Sequence, residues 1–138
     1  MSTRHFLDTN VLLYSISKDR AETAKRERAI ALLEADGGGL SVQVLQEFYV
    51  QATRVTRRDP LPHEIAAGLI RTWMRFAVQD VTTSILTRAL DIKVNHGFSY
   101  WDSAIIAAAR ALGCRELYSE DMADGREVEG ILIINPFR

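Results

Sequence analysis

The stretch FLDTNVLLY, residues 6 to 14, is an apolar run that ends at an acid, passes through two polar residues and becomes apolar again. One interpretation is local: a strand ends here, and Thr9 or Asn10 caps the helix that VLLYSI begins. The other is that Asp8 lies at the carboxyl end of a first parallel strand, where open α/β sheets place the groups that contact ligands. Both interpretations predict a strand followed at once by a helix.

The remainder of the chain alternates short apolar runs with segments of helical spacing. Predicted strands are RHFLD at 4–8, VQDV at 78–81, RELYSED at 115–121 and ILIINPF at 131–137. Predicted helices run from the first strand to about residue 33 with a break at SKDR, from the N-cap Ser41 toward the Arg-rich segment at 54–58, and over 63–77, 84–97 and 99–113. The alternation predicts an α/β fold with a parallel sheet and right-handed crossovers, in a single domain of residues 1–138.

Glycine and proline residues mark three predicted turns or helix ends in this pattern. The run GGG at 37–39 predicts a flexible turn, and no Gly-Lys-Ser/Thr follows it to make a phosphate loop. Pro60 and Pro62 indicate a link between helices, and Gly97 is placed to end one.

Composition describes an ordinary globular chain of 138 residues, 47% hydrophobic and 25% charged. The net charge of -1 gives no overall attraction to nucleic acid, but arginines crowd the middle of the chain and acids its end. The single Cys114 excludes an internal disulfide and a cysteine-based zinc site. No stretch approaches the ~20 apolar residues of a membrane span, and MSTRHF at 1–6 lacks the apolar core of a signal peptide, so we expect a cytoplasmic protein.

Four acids fall at comparable places in this layout. Asp8 ends the first strand, Glu47 lies in the second turn of a helix, Asp102 lies in the first turn of the helix from Ser99, and Asp121 follows ELY. Elements that start or end at one edge of a parallel sheet bring such side chains together. Two carboxylates about 5 Å apart repel by ~3 kcal/mol at an effective dielectric of about 20, so such a cluster requires a cation. Oxygen ligands without cysteine or paired histidine favour Mg²⁺ or Mn²⁺, which activate water for displacement at phosphorus.

Each acid also has a purely structural interpretation. Asp102 completes a capping box with Ser99, Asp121 favours a following turn, and Glu47 is a solvated helix residue at the edge of an apolar stripe. Asp8 has the fewest structural reasons for its place. The three histidines lack metal-ligand spacing, and for Trp101 we expect core packing rather than stacking on a base.

These motifs together resemble the PIN-domain ribonucleases, in particular the toxins of VapBC-type toxin–antitoxin modules. The resemblance rests on FLDTNVLLY, SVQVLQEFY, FSYWDSAIIAAA, LYSEDMADG and GILIINPF, which extend in order across nearly the whole chain. It implies a PIN-like α/β/α sandwich with a short parallel central sheet surrounded by helices. It also implies an acidic pocket that binds Mg²⁺ or Mn²⁺.

The resemblance assigns roles residue by residue. Asp8, Glu47, Asp102 and Asp121 occupy the positions of the family's acidic metal ligands and form the catalytic set. Asn10 and Ser119 match polar positions that support the pocket, and Glu120 and Asp124 are possible additional acids. The implied reaction is hydrolysis of RNA, commonly tRNA or ribosomal RNA, by metal-activated water.

The same resemblance implies partners. Toxins of this kind form homodimers and are inhibited by an antitoxin whose tail covers the active site. Arg54, Arg57 and Arg58 would then hold the RNA backbone near the pocket without reading its sequence. Two alternatives remain within the fold: an RNA-processing nuclease without antitoxin, and a PIN binding module without catalysis. A phosphate-accepting receiver domain is disfavoured, because only one acid follows the first strand and no lysine follows the last.

Overall fold

The computed structural model describes residues 4–138, so the first three residues of MSTRHF lie outside the described part. Its strands are β1 (His5–Leu7), β2 (Gly38–Ser41), β3 (Ala77–Gln79), β4 (Glu116–Tyr118), β5 (Glu127–Val128) and β6 (Ile131–Ile134). Its helices are α1 (Thr9–Ser15), α2 (Thr23–Glu34), α3 (Val42–Ala52), α4 (His63–Trp73), α5 (Thr83–His96) and α6 (Tyr100–Ala111), with a 3₁₀ turn at Arg20–Glu22.

The strands form one sheet in the order β3-β2-β1-β4-β6-β5. Four of the five pairings are parallel, and only β5 runs antiparallel, to β6. The predicted α/β fold is therefore confirmed as a mixed, mostly parallel sheet flanked by helices. The prediction missed β5, because a strand of two residues is too short to show a period in the sequence.

The core is built around the two central strands. Phe6, Leu7 and Leu117 are fully buried, as are Phe48 on α3 and Ile106 on α6. Strands covered on both faces read as continuous apolar runs, which is why HFL and ELY were recognisable as strands. No helix within residues 4–138 has the length and apolar character needed to cross a membrane.

The helix boundaries follow local chemistry. The hydroxyl of Ser41 accepts from the amide of Val44 at 3.2 Å and begins α3, and Ser99 begins α6 in the same way through the amide of Asp102. Gly97 ends α5 in the left-handed conformation, at φ +79°. These three predicted caps are confirmed, whereas α4 ends at Trp73, four residues earlier than predicted.

The prediction of a flexible turn at 37–39 was wrong for two of its three residues. Gly38 and Gly39 belong to β2 and pair with His5 and Phe6 of β1. A Cβ on Gly38 would lie 3.0 Å from the ring of Phe76, so the missing side chain makes room for that ring. A glycine in a strand can mark such a close approach, and sequence alone does not distinguish it from a turn.

Candidate active site

A cleft of about 510 Å³ lies beside the carboxyl ends of the central parallel strands. Its walls include all four predicted acids: Asp8, Glu47, Asp102 and Asp121. They arrive from separate elements, since Asp8 follows β1, Glu47 lies on α3, Asp102 on α6 and Asp121 after β4. The structure thus brings together four side chains that span 113 positions of sequence, from 8 to 121.

Asp8 has both of the roles considered for the stretch FLDTNVLLY, because it lies at the start of a helix and also lines the cleft. It is itself the N-cap of α1, so neither Thr9 nor Asn10 is, and its Oδ1 accepts from the amide of Thr9 at 2.7 Å. Its Oδ2 accepts from the hydroxyl of Ser119 at 2.6 Å. The side chain is buried yet lines the cleft. One carboxylate therefore starts the helix and faces the candidate site.

The electrostatic state of Asp8 reflects this position. Burial raises the pKa of its carboxyl from 3.8 to about 6, against the opposing hydrogen bonds from Ser119 and Thr9. The negative charges of Glu47 and Asp102 contribute to the increase. The folded protein thus binds the Asp8 proton more tightly than a solvent-exposed aspartate would, although at pH 7 the carboxyl is mostly ionised.

Asp102 is affected in the same direction. Burial raises the pKa of its carboxyl, a hydrogen bond with Ser99 opposes the rise, and the charges of Glu47 and Asp121 add to it. Asp102 also donates its amide to Ser99 at the start of α6, so the predicted capping contact and the predicted site position are compatible. The ionisation of Asp8 and of Asp102 is therefore affected by the charges of neighbouring acids in the cleft.

Two neutral side chains, those of Thr9 and Gln43, orient the carboxylate of Glu47. Neither was predicted from the sequence as a site residue. The hydroxyl of Thr9 donates to Oε1 of Glu47 at 2.7 Å, and the amide of Gln43 donates to Oε2 at 3.2 Å. Thr9 is a polar residue that lies between Asp8 and Asn10, both of which were predicted to belong to the site. This position was the sequence signal that could have identified it. Gln43, one turn before Glu47 on α3, gave no signal of its own. Both oxygens of Glu47 are consequently oriented by contacts within the protein.

The two predicted supporting residues, Asn10 and Ser119, each contact an acid of the cleft. Asn10 donates its side-chain nitrogen to Oδ2 of Asp121 at 3.4 Å, and Ser119 contacts Asp8. Glu120 and Asp124, the two possible additional acids, do not line the cleft. Glu120 contacts Lys25 and Tyr14, while Asp124 accepts from the amide of Asn135 at 2.7 Å and pairs with Arg138 at 2.8 Å.

The three predicted RNA-binding arginines are divided between two cavities. Arg54 lines the acidic cleft. Arg57 and Arg58 line a neighbouring cavity of about 490 Å³, which Lys18 and Arg20 also face. The turn that carries both groups is held by a 3.0 Å hydrogen bond from the amide of Arg57 to the carbonyl of Arg54. The turn after α3 therefore carries arginines of both cavities.

Trp101 corrects an expectation. Its side chain is 63% exposed and lines the cleft, so core packing was the wrong assignment. The sequence of α6 is apolar along most of its length, so it does not by itself reveal that Trp101 lies on the solvent side of the first turn.

The donors of the cleft suit a hard divalent cation in their chemistry, because each of the four is a carboxylate. As the side chains stand, no three acidic, imidazole or thiol groups in residues 4–138 are close enough to enclose one ion. Mg²⁺ is commonly held by one or two carboxylates with several waters, so a dedicated cage is not needed. The residues present fit such an ion.

Comparison with known proteins agrees with this architecture. The model of the PIN domain family matches residues 5–123, and the chain belongs to that family. No curated protein matches the sequence.

Solved structures share the fold at low sequence identity. A toxin–antitoxin complex from Klebsiella pneumoniae matches with a TM-score of 0.70 and 19% identity, over 96% of this chain and 98% of that chain. The sarcin–ricin loop cleaving toxin VapC20 of Mycobacterium tuberculosis has a TM-score of 0.64 and 23% identity, over 82% and 86%. DNA-bound VapBC from Salmonella typhimurium has a TM-score of 0.64 and 19% identity, over 96% and 97%. At these identities the likeness is one of fold.

Proposed function

We propose that this PIN domain, taken as the single domain of residues 1–138, is a Mg²⁺- or Mn²⁺-dependent endoribonuclease and the toxin of a toxin–antitoxin pair. The observation that carries the proposal is the convergence of Asp8, Glu47, Asp102 and Asp121 on one open cleft. Neighbouring carboxylates such as these, where the charges of Glu47 and Asp102 act on Asp8, are costly without a cation, and a structural role does not require all four acids to face one cleft.

Carboxylates of this set would hold the ion directly or through waters, and when bound the ion supplies positive charge that activates water and stabilises charge on the phosphate oxygens. The chain's own groups orient these ligands. Thr9 and Gln43 fix the two oxygens of Glu47, Ser119 and the Thr9 amide fix Asp8, and Asn10 contacts Asp121. Partners that orient metal ligands in this way typically tune affinity by 10- to 100-fold.

RNA would enter along the cationic side of the cleft. Arg54 lies at the acidic cleft, where its guanidinium can contact a phosphate beside the one that is cut. Arg57 and Arg58 would hold the backbone farther along, in the neighbouring cavity. The exposed ring of Trp101 offers a face on which a base can stack.

Support for the toxin assignment comes from the fold neighbours, which include toxin–antitoxin complexes. We therefore propose an antitoxin as protein partner, a homodimer as the assembly and the cytoplasm as the place of action. One neighbour is described as cleaving the sarcin–ricin loop, so ribosomal RNA belongs with tRNA among the candidate substrates.

The test is cleavage of end-labelled tRNA and ribosomal RNA by the purified, partner-free protein with Mn²⁺, Mg²⁺ or chelator. Discrete products that require metal and disappear in Asp121→Asn support the proposal. Metal binding without cleavage of either RNA would favour a binding module. Cleavage that no co-encoded protein inhibits would favour an RNA-processing nuclease.

A further inference from the structure

The loop after β4 contacts the start of α1 through three consecutive residues. Ser119 donates to Asp8 at 2.6 Å, the amide of Glu120 donates to Oδ1 of Asn10 at 3.3 Å, and Asp121 accepts from Nδ2 of Asn10 at 3.4 Å. The hydroxyl of Ser119 also accepts from the amide of Asp121 at 3.3 Å. The position of Asp121 in the cleft therefore depends on how this loop is held.

The side chain of Glu120 is held outside the cleft by two helices. The Lys25 ammonium on α2 donates to Oε2 at 2.6 Å, and the Tyr14 hydroxyl on α1 donates to Oε1 at 2.6 Å. Lys25 also donates to the Tyr14 oxygen at 3.1 Å, which closes a triangle of polar contacts. Both carboxylate oxygens of Glu120 are thus engaged, by residues 95 and 106 positions away.

The triangle is itself fixed in place. The ring of Tyr14 packs edge-on against Phe137 with centroids 4.8 Å apart, and the Lys25 nitrogen lies 4.9 Å from the Tyr14 ring centroid. The side chains of Lys25 and Glu120 are 38% and 24% exposed, so the pair is partly screened from water. A charge-assisted contact in this setting orients its partners more firmly than an exposed ion pair does.

We propose that Lys25 and Tyr14 are positioning residues, which act through Glu120 to hold the Ser119–Asp121 loop so that the Asp121 carboxylate faces the acidic cleft. The expected effect on metal binding rests on the proposed function, whereas the contacts among Tyr14, Lys25 and Glu120 do not. Glu120 thereby has a role different from that of a metal ligand. We call the group of Tyr14, Lys25 and Glu120 the loop clamp.

The test compares Lys25→Met, Glu120→Gln, their combination, and the conservative Lys25→Arg, with Lys93→Met on α5 as a matched lysine control. Two measurements need no activity: amide hydrogen exchange of residues 119–121, and Mn²⁺ affinity by calorimetry. The third measurement is kcat and KM for a cleaved RNA.

We expect Lys25→Met and Glu120→Gln each to accelerate exchange in the loop and to weaken Mn²⁺ binding by about 10-fold, with kcat reduced and KM unchanged. The combined variant should lose no more than either single one, because both act through one contact. Lys25→Arg should retain most of the wild-type affinity, and Lys93→Met all of it.

Three results would overturn the inference. A lower melting temperature with unchanged loop exchange and Mn²⁺ affinity would mean a purely structural contact. A rise in KM alone for Lys25→Met would mean that Lys25 contacts RNA. Loss of Mn²⁺ binding in Glu120→Gln as complete as in Asp121→Asn would make Glu120 a ligand. If the wild type neither binds Mn²⁺ nor cleaves RNA, the proposed function fails, and loop exchange alone then decides whether the clamp exists.

Discussion

The hydroxyl of Ser119 donates a 2.6 Å hydrogen bond to the buried carboxylate of Asp8, across 111 positions of sequence. This contact joins the ends of the two neighbouring parallel strands β1 and β4. It stabilises the charged form of Asp8, but burial outweighs it and the pKa of Asp8 lies near 6. The protonation state of Asp8 therefore affects the stability of the folded protein.

Stability without metal should fall as the pH rises through the range in which Asp8 ionises. The folded state binds this proton more tightly than the unfolded state, so the contribution is fully present below about pH 4 and is lost by about pH 6. We expect Asp8→Asn to remove this loss and to raise the free energy of unfolding at pH 7 by about 1 to 3 kcal/mol. Urea unfolding from pH 4 to 8 with chelator measures this, with the exposed-residue variant Asp91→Asn as control. Equal pH profiles for wild type and Asp8→Asn would contradict the assignment.

Divalent metal should reverse that instability. An ion bound only by the folded state stabilises it by mass action, so Mn²⁺ at about ten times its Kd should raise the melting temperature by about 3 to 6 °C. Asp8→Asn should show little of this increase, since it lacks one ligand charge. Differential scanning fluorimetry with Mn²⁺, Mg²⁺ and chelator provides the measurement. A melting curve that millimolar Mn²⁺ leaves unchanged would count against a metal site in the cleft.

Arg54 should contribute more to catalysis than Arg57, because only Arg54 lines the acidic cleft. We expect Arg54→Ala to lower kcat/KM by about 10-fold and Arg57→Ala to act mainly on RNA affinity. Each substitution should also reduce by about one the slope of the logarithm of the binding constant against the logarithm of the salt concentration, as expected for one lost phosphate contact. Arg71→Ala, on the exposed side of α4, is the control. Equal effects of all three substitutions would indicate only a general charge contribution.

Trp101 should bind a base through its exposed ring. Stacking of one base on an aromatic side chain is worth ~1 to 3 kcal/mol, so Trp101→Ala should raise KM by about 5-fold or more. Trp101→Phe should retain most of the affinity, and neither substitution should lower the melting temperature much, because the side chain is 63% exposed. An unchanged KM for Trp101→Ala would exclude stacking at this position.

Two glycines should respond to alanine in opposite directions. Gly38→Ala would bring its Cβ to 3.0 Å from the Phe76 ring, and we expect a loss of about 1 to 3 kcal/mol in unfolding free energy. Gly68, inside α4, has nothing within 4 Å of the same position, so Gly68→Ala should gain about 0.5 to 1 kcal/mol. Thermal unfolding of both variants tests the pair. A stabilising Gly38→Ala would show that the ring moves aside freely.

The sequence was sufficient for features that depend on nearby residues. Ser41, Ser99 and Gly97 act within one helical turn, and each was assigned correctly. The four acids could be placed at one edge because parallel strands share a direction.

Features that depend on distant residues were not predictable from the sequence alone. Gly38 and Gly39 form a strand because β1 and β3 pair with β2, and the contact of Lys25 with Glu120 joins residues 95 positions apart. The exposure of Trp101 likewise depends on what packs beside α6. Pattern reasoning names the residue types, whereas their partners are set by tertiary packing.

The sheet order has a consequence for biosynthesis. Strand β1 is made first but pairs with β4, which is followed directly by the loop that carries Asp121. A nascent chain therefore carries Asp8, Glu47 and Asp102 before Asp121 exists, and the contact of Ser119 with Asp8 forms only after β4 has been made. A nascent chain that ends before residue 121 lacks one of the four acids of the cleft, so a hydrolytic activity of this kind would arise only after Asp121 has been made.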